Sequence, residues 1–118
     1  MSRQEGLAAE QHARAYLISQ GLQWVESNYR CRWGEIDLIM REGLTLVFVE
    51  VRARVSSAFG GAVASVTYGK QQKLIRTASH YLQLKRMHDK QGVRFDVVGI
   101  QGIKPQIEWI KNAFGVNF

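Results

Sequence analysis

The run from Leu44 to Arg52 constrains the fold more than any other part of this sequence. It is rich in Val and Phe and follows a turn candidate at Gly43. A strand of this composition is buried on both faces, which is typical of a central strand covered by helices on either side. The chain is therefore expected to fold as a layered α/β domain.

The remaining pattern predicts two helices and about five strands. Apolar residues recur on a helical period in two segments and alternate in most of the others. The predicted elements are a helix at about 3–20, strands at 22–29, 35–40 and 44–52, a helix at about 69–87, and strands at 93–100 and 106–110. One helix thus precedes the first strand and another separates the third from the fourth, in a mixed α/β sheet. The Gly-rich segment 56–69 has no sustained period and is predicted to be a mobile loop.

Length, charge and cysteine content limit the class of protein. A chain of 118 residues supports one hydrophobic core, so a single domain over residues 1–118 is expected. The 16 Lys and Arg residues against 10 Asp and Glu give a net charge of +6, which favours nucleic acid as a partner. The single cysteine excludes an internal disulfide, and no apolar run is long enough to span a membrane. A cytoplasmic protein with no membrane partner is expected.

Three acidic residues lie within the two most apolar strand candidates. Glu35 and Asp37 belong to the first of these strands and Glu50 to the second. If the turn between them is Gly43-Leu44, Asp37 lies directly across from Glu50. If the turn is Glu42-Gly43, Glu35 takes that place. Either register puts two carboxylates about 5 Å apart on one face, where repulsion raises at least one pKa unless a cation compensates.

Two interpretations of these acids remain open. Oxygen ligands at this spacing suit a hard cation such as Mg²⁺ or Mn²⁺, which completes its shell with water and substrate phosphate. Arg52 follows Glu50 by two residues, faces the same way, and could hold a phosphate oxygen or transition-state charge. Alternatively, Arg52 neutralises Glu50 and Glu35 in a structural ion-pair cluster, which is a common arrangement.

Basic residues surround the acidic hairpin and follow one face of the second predicted helix. Those near the hairpin are Arg30, Arg32, Arg41, Arg52 and Arg54, and those on the helix are Lys70, Lys73, Arg76, Lys85 and Arg86. The first group favours contact with phosphates. The second group is typical either of a surface that follows a DNA backbone or of a solvated helix face. Trp24, Trp33 and Trp109 are expected to pack in the core or at its rim rather than to stack on bases.

Several motifs, taken in order, resemble one known family. They are Gly34-Glu35-Ile36-Asp37-Leu38-Ile39, Val47-Phe48-Val49-Glu50-Val51-Arg52, Phe59-Gly60, Lys70 and Arg94-Phe95-Asp96-Val97-Val98. Together they resemble the YraN-like family of predicted endonucleases, which is similar to archaeal Holliday-junction resolvases within the PD-(D/E)XK nuclease superfamily. The resemblance extends from Glu10 to about Ile100 and implies a restriction-endonuclease-like fold.

The resemblance implies a metal-dependent endonuclease that hydrolyses phosphodiesters in DNA, with branched or structured DNA as the substrate. Asp37 and Glu50 match the metal-binding acids of the superfamily. Glu10 matches an acid of its first helix that contacts the metal directly or through water. Glu35 belongs to the same motif and is expected beside the ligands, and Lys70 is expected close enough to reach a phosphate. A homodimer would place two such sites on two DNA strands.

One position departs from the superfamily pattern. Arg52 stands where Lys is usual, and because Arg cannot be deprotonated in a protein, a general-base role is not expected. Arg52 could still orient water and stabilise the charge at phosphorus. The alternative function is a catalytically weak or inactive nucleic-acid-binding module on a nuclease scaffold. In either case the expected nucleic-acid contacts are Lys70, Lys73, Arg76 and Arg54.

Overall fold

The order of helices and strands follows the predicted order. The computed structural model describes residues 3–54, 65–86, 92–101 and 106–115. These residues form helix α1 (Arg3–Ser19), strands β1 (Gln23–Cys31), β2 (Gly34–Glu42) and β3 (Thr45–Arg54), helix α2 (Tyr68–Leu84), and strands β4 (Gly92–Gln101) and β5 (Gln106–Phe114). The predicted loop at 56–69 lies outside the described residues over 56–64. Neither helix has the length and apolar content that crossing a bilayer requires.

The strands of the described chain form one mixed sheet in the order β1-β2-β3-β4-β5. Strands β3 and β4 are parallel, whereas the other neighbouring pairs are antiparallel. A tight turn cannot join parallel neighbours, and α2 lies in the connection between them. The mixed α/β architecture and the central position of β3 are therefore confirmed.

Alternate residues of β3 build the cores on the two faces of the sheet. Leu46 and Phe48 lie in the cluster that contains the buried side of α2. Val47, Val49 and Val51 lie in the cluster that contains the buried side of α1. Each fully buried side chain of this kind stabilises the fold by about 1.5–3 kcal/mol. Helices thus cover both faces, as the composition of the strand predicts.

The hairpin between β2 and β3 turns at Gly43-Leu44, which is the first of the two predicted registers. The paired residues run from Glu42 with Thr45 to Leu38 with Val49. Gly43 has a φ of 59°, a conformation that glycine adopts without a steric penalty. The register carries Asp37 and Glu50 to neighbouring positions just beyond the last of these pairs.

The alternation of β2 shifts by one position around Asp37, and this corrects one prediction. Regular alternation places Ile36, Leu38 and Met40 on one side of the strand. Instead, Ile36 packs in the cluster beside α2, while Leu38 and Met40 pack beside α1. Asn28, which lies in β1 between the residues that pair with Leu38 and Ile36, has a φ of 55°. This is a left-handed backbone conformation that Asn tolerates better than most residues, and it interrupts the regular ladder at the acidic position.

A buried network of charged groups ties β4 to its neighbours. Asp96 is 1% exposed and accepts a hydrogen bond from Arg94 Nε at 3.0 Å. It also accepts bonds from the Trp109 indole and from the backbone N–H of Asn112, both at 2.9 Å. Arg94 donates in turn to Glu42 on β2 at 2.6 Å. Among the described residues, each hydrogen-bond partner of Asp96 belongs to β4 or β5, so these contacts give it a structural role.

Asp96→Ala is expected to lower the free energy of unfolding by about 3–5 kcal/mol, because it leaves a largely buried guanidinium without its main partner. Urea unfolding followed by circular dichroism measures the loss. Glu108→Ala removes an exposed carboxylate from the adjacent β5 and should change stability by less than about 0.5 kcal/mol. Equal losses in the two variants would contradict the role of the network.

Candidate metal centre

An open cleft of about 620 Å³ collects the acidic residues of α1, β2 and β3. Its lining residues are Gly6, Leu7, Ala9 and Glu10 of α1, Asn28 and Arg30 of β1, Glu35 and Asp37 of β2, and Glu50, Val51 and Arg52 of β3. The structure therefore brings the predicted acids and the predicted catalytic arginine into one site. They come from elements that are distant in sequence, and the hairpin register and the packing of α1 place them together.

Asp37 and Glu50 form a hydrogen-bonded pair of carboxyl groups in this cleft. Burial and the adjacent Glu50 carboxyl raise the pKa of Asp37 to about 9. The backbone N–H of Val51 donates to Asp37 Oδ2 at 2.8 Å and opposes this shift only in part. At neutral pH Asp37 therefore keeps its proton and donates to Glu50, since two adjacent carboxylates in a poorly solvated site repel each other.

The separation of β2 from β3 explains why Asp37 reaches the backbone of its neighbour. In the described strands, pairing between β2 and β3 extends as far as Leu38 with Val49. Beyond that point a backbone N–H of β3 needs another acceptor, because an unpaired buried N–H is costly. The Asp37 carboxyl accepts from Val51 and supplies it. This bond fixes the Asp37 side chain beside Glu50.

Glu10 adds a further carboxyl from α1. Burial and, to a lesser extent, electrostatic interaction with Asp37 raise the pKa of Glu10, while a hydrogen bond from the Asn28 side chain opposes the shift. Within the described residues, however, no group of three or more acidic, His or Cys side chains lies close enough to enclose an ion. Asp37 and Glu50 are therefore the inner pair, and Glu10 lies farther out.

Asn28 belongs to the site although none of the sequence motifs points to it. Its side chain hydrogen-bonds Glu10, and its backbone conformation breaks the regularity of β1. Asn is depleted in strands and enriched at positive φ. An Asn inside a strand candidate, here next to the end of the predicted strand at 22–29, is the signal that could have identified this position.

Arg52 lies beside Glu50 with hydrogen-bonding capacity to spare. Its Nη2 is 3.6 Å from Glu50 Oε2, and its Nε is buried without a hydrogen-bond partner among the described residues. An unsatisfied buried donor of this kind costs about 1–3 kcal/mol. Glu35 pairs instead with Arg30, whose Nε lies 2.9 Å from Glu35 Oε2. In the described part of the chain, Arg52 is therefore not shared between Glu35 and Glu50.

The donors in the cleft are compatible with a hard divalent cation. Mg²⁺ and Mn²⁺ prefer oxygen ligands, and Mg²⁺ commonly takes one or two carboxylates together with water and substrate phosphate. Asp37 and Glu50 offer such a pair, and the proton on Asp37 indicates that their charges need compensation. The residues present therefore fit such an ion, and Asp37 and Glu50 would be its protein ligands.

The basic residues predicted to contact nucleic acid are not brought into the cleft. Lys70, Lys73 and Arg76 are exposed on α2 and are absent from the described lining of the cleft. For Arg54 the structure describes only the backbone, which pairs with Gln101 of β4. Contact between these four side chains and nucleic acid stays a prediction.

The chain is similar to bacterial proteins over nearly its whole length. The model of the uncharacterised protein family UPF0102 matches residues 9–100. A UPF0102 protein of Legionella pneumophila strain Philadelphia 1 is 54% identical over 114 residues, which covers 97% of each chain. One from Nitrosomonas europaea is 57% identical over 112 residues, covering 93% of this chain and 92% of the relative. One from Aeromonas hydrophila is 51% identical over 111 residues, covering 93% and 84%.

Without divalent ions, the stability of the protein is expected to fall as pH rises from about 4 to about 9. The folded state holds a proton on Asp37 up to a pKa of about 9, whereas the unfolded chain releases it near the ordinary value of about 3.9. Over this interval the folded state binds more protons, so raising the pH disfavours it. Asp37→Asn has no proton to lose and should become the more stable protein as pH increases.

Urea unfolding in EDTA across this pH range measures the effect. Glu108→Gln makes the same kind of acid-to-amide change at an exposed position of β5, and its stability should depend on pH as that of the wild type does. Parallel profiles for the wild type and Asp37→Asn would contradict the raised pKa.

Proposed function

The chain belongs to the uncharacterised protein family UPF0102, and we propose that it is an endonuclease that hydrolyses phosphodiester bonds in DNA using Mg²⁺ or Mn²⁺. The observation that carries the proposal is the Asp37–Glu50 carboxyl pair in an open cleft beside Arg52. The pair holds a proton that a cation would displace, and the Arg52 guanidinium, on a side chain that is 25% exposed, is a donor for a phosphate oxygen. A metal ion would replace the proton of the carboxyl pair, and a phosphodiester would accept the hydrogen bond from Arg52.

The fold supports the same proposal. A helix, three antiparallel strands, a crossover helix and a strand parallel to the third follow one another in the described chain. This order agrees with the restriction-endonuclease-like fold that the resemblance to the PD-(D/E)XK superfamily implies. The two acids that match the superfamily motif, Asp37 and Glu50, meet at the point where β2 separates from β3.

The reaction assigned to this cleft is attack of water on phosphorus, in which one P–O ester bond breaks, the attacking water loses a proton to solvent and the leaving ester oxygen takes one up from solvent. A divalent ion held by Asp37 and Glu50 would supply positive charge to the phosphate and lower the pKa of a water molecule. The Val51 N–H holds Asp37 in place, so the ligand is oriented before substrate binds. Arg52 donates to a phosphate oxygen, and its fixed positive charge offsets the negative charge that develops in the transition state. Glu10, held by Asn28, can accept a hydrogen bond from a water molecule at the edge of the site.

Charge favours DNA as the polymer that enters the cleft. The chain carries a net charge of +6, and Lys70, Lys73 and Arg76 are exposed along α2. Exposed cations at such density gain affinity for a polyanion by releasing its counterions. The resemblance to resolvases points within DNA to branched or structured forms.

A second candidate function is a nucleic-acid-binding module without catalysis. The ion pair between Arg52 and Glu50 favours it, because Arg52 offsets part of the acidic charge without a metal. The arginine in place of the usual lysine also removes the general base of the superfamily pattern. The two candidates share DNA binding and differ in whether a cation produces cleavage.

Labelled DNA should be cleaved by the wild-type protein with Mg²⁺ or Mn²⁺ and left intact in EDTA. Asp37→Asn and Glu50→Gln remove protein ligands of the ion. Each should lower the cleavage rate at least about 100-fold, since even an outer partner of a metal ligand is worth about 10–100-fold. A gel assay on linear, nicked, flapped and four-way substrates measures the rates.

Glu108→Gln is the matched control, because it removes an exposed carboxylate outside the cleft and should cleave like the wild type. Mobility-shift assays on Asp37→Asn should show that DNA binding is retained. Cleavage that survives both substitutions in the cleft would exclude this mechanism. Wild-type protein that binds all the substrates and cuts none of them would favour the binding module.

A further inference from the structure

We propose that the tip of the β1–β2 hairpin and the adjacent face of α2 bind an unpaired base and its flanking phosphates in the DNA. This hairpin-tip site consists of Arg32, Trp33, Lys73 and Arg76. It rests on the proposed function in one respect, since DNA is taken as the substrate. It adds a preference for DNA in which a single-stranded segment adjoins a duplex.

Trp33 provides a flat surface at the tip of the hairpin. The hairpin pairs Cys31 with Gly34, so Trp33 lies in the two-residue turn between them and is 39% exposed. The guanidinium carbon of Arg32 lies 4.5 Å from the centre of the Trp33 ring, and that of Arg76 lies 5.5 Å from it. Indole rings and guanidinium planes are the two surfaces on which proteins stack unpaired bases.

The hairpin tip packs closely against α2 at Gly34. A Cβ atom at this position would lie only 3.2 Å from Thr77 Oγ1 and 3.9 Å from Lys73 Cβ. A side chain at this position would force Thr77 or the hairpin to shift by a few tenths of an ångström. The close contact places Lys73 beside the turn that carries Trp33, so the ring and the cations of α2 form one continuous surface.

The cations of this surface are available to an anionic ligand. Among the described residues, Arg32, Lys73 and Arg76 have no ion-pair partner. By contrast, Arg30 and Arg52 of the cleft and Arg94 beside Asp96 each contact a carboxylate. Lys70, Lys73 and Arg76 recur every three residues and span about 9 Å along the helix axis. Unpaired cations in a row are suited to successive phosphates of a nucleic-acid strand.

Strand β2 connects the hairpin-tip site to the acidic cleft. Asp37 follows Trp33 by four residues, which is about 13 Å along an extended strand. The hairpin-tip site and the acidic cleft thus lie along the same strand, where a duplex and an adjoining single-stranded segment could contact both.

An unpaired base is the occupant that this geometry favours. Bases within a duplex are covered by their neighbours and expose only their edges in the grooves. The face of an indole ring, or of a guanidinium stacked on it, can be used only by a base that has left the stack. The hairpin-tip site would therefore favour a single-stranded segment next to the duplex that carries the scissile phosphate.

The test measures DNA binding in EDTA, so that cleavage plays no part. Fluorescence anisotropy gives the affinity of the wild type and Trp33→Leu for a labelled oligothymidylate and for a blunt duplex. Trp33→Leu should weaken binding to the oligothymidylate by about 5- to 150-fold, which corresponds to the stacking of one base at about 1–3 kcal/mol. Binding to the blunt duplex should change by less than about twofold, because the cations that contact phosphates remain.

Trp24→Leu is the matched control. Trp24 is 47% exposed and lies beneath Arg14, whose guanidinium carbon is 4.9 Å from the ring centre. It is near the opposite end of β1 from the hairpin tip, so the substitution should leave both affinities unchanged. Trp33→Tyr keeps an aromatic face and should recover most of the binding, which separates stacking from any loss of packing against α2.

Each outcome decides a different point. Equal weakening of both DNAs by Trp33→Leu, or an equal effect of Trp24→Leu, would overturn the hairpin-tip site. A selective effect of Trp33→Leu in a protein that cuts no DNA with metal would support the site and reject the proposed nuclease activity. A wild-type protein that binds neither DNA would overturn both.

Discussion

The hydrogen bond from the Val51 backbone N–H to Asp37 is the interaction on which the acidic site depends. It forms where β2 separates from β3, and it replaces a contact between the backbones of the two strands. Because the carboxyl is held against β3, it lies beside Glu50 rather than in open solvent. The separation of the strands also opens the cleft to Glu10 on α1. A local departure from regular pairing thus creates the site.

The charges in the cleft are balanced only in part by the protein itself. Asp37 remains protonated because burial and Glu50 disfavour a second negative charge. Arg52 contacts Glu50 but keeps one buried donor without a partner among the described residues. Perturbed titratable groups of this kind are concentrated at functional sites because catalytic and ligand-binding groups need pKa values matched to their task. The proposed ligands have the matching charges: a divalent cation is attracted to the carboxyl pair of Asp37 and Glu50, and a phosphate is attracted to Arg52.

Much of this arrangement could be predicted from local sequence. The composition of β3 predicts its central position. Of the two turns considered between β2 and β3, the one at Gly43-Leu44 predicts the observed register, which brings Asp37 and Glu50 together. The shift in alternation at Asp37 could not be predicted, because it occurs beside an irregular backbone position, Asn28, in the neighbouring strand. Such an irregularity arises from pairing between strands. The hydrophobic period of either strand alone does not reveal it.

The position of the β1–β2 hairpin tip is a second feature that could not be predicted from the sequence. The predicted first strand ended at Tyr29, whereas the observed strand continues to Cys31 and leaves Trp33 in the turn. An aromatic residue is usually assigned to the core because burial is its most common environment. Its exposure here follows from the position of the turn and from the packing of Gly34 against α2, both of which are tertiary features.

The most direct test of the cation site is calorimetric titration of Mn²⁺ into the protein near neutral pH, in two buffers with different enthalpies of ionisation. The difference in heat gives the number of protons released as the ion binds. About one proton per ion is expected from the wild type, because the ion displaces the proton of Asp37, and none is expected from Asp37→Asn. Absence of Mn²⁺ binding, or binding without proton release, would contradict a cation site at Asp37 and Glu50.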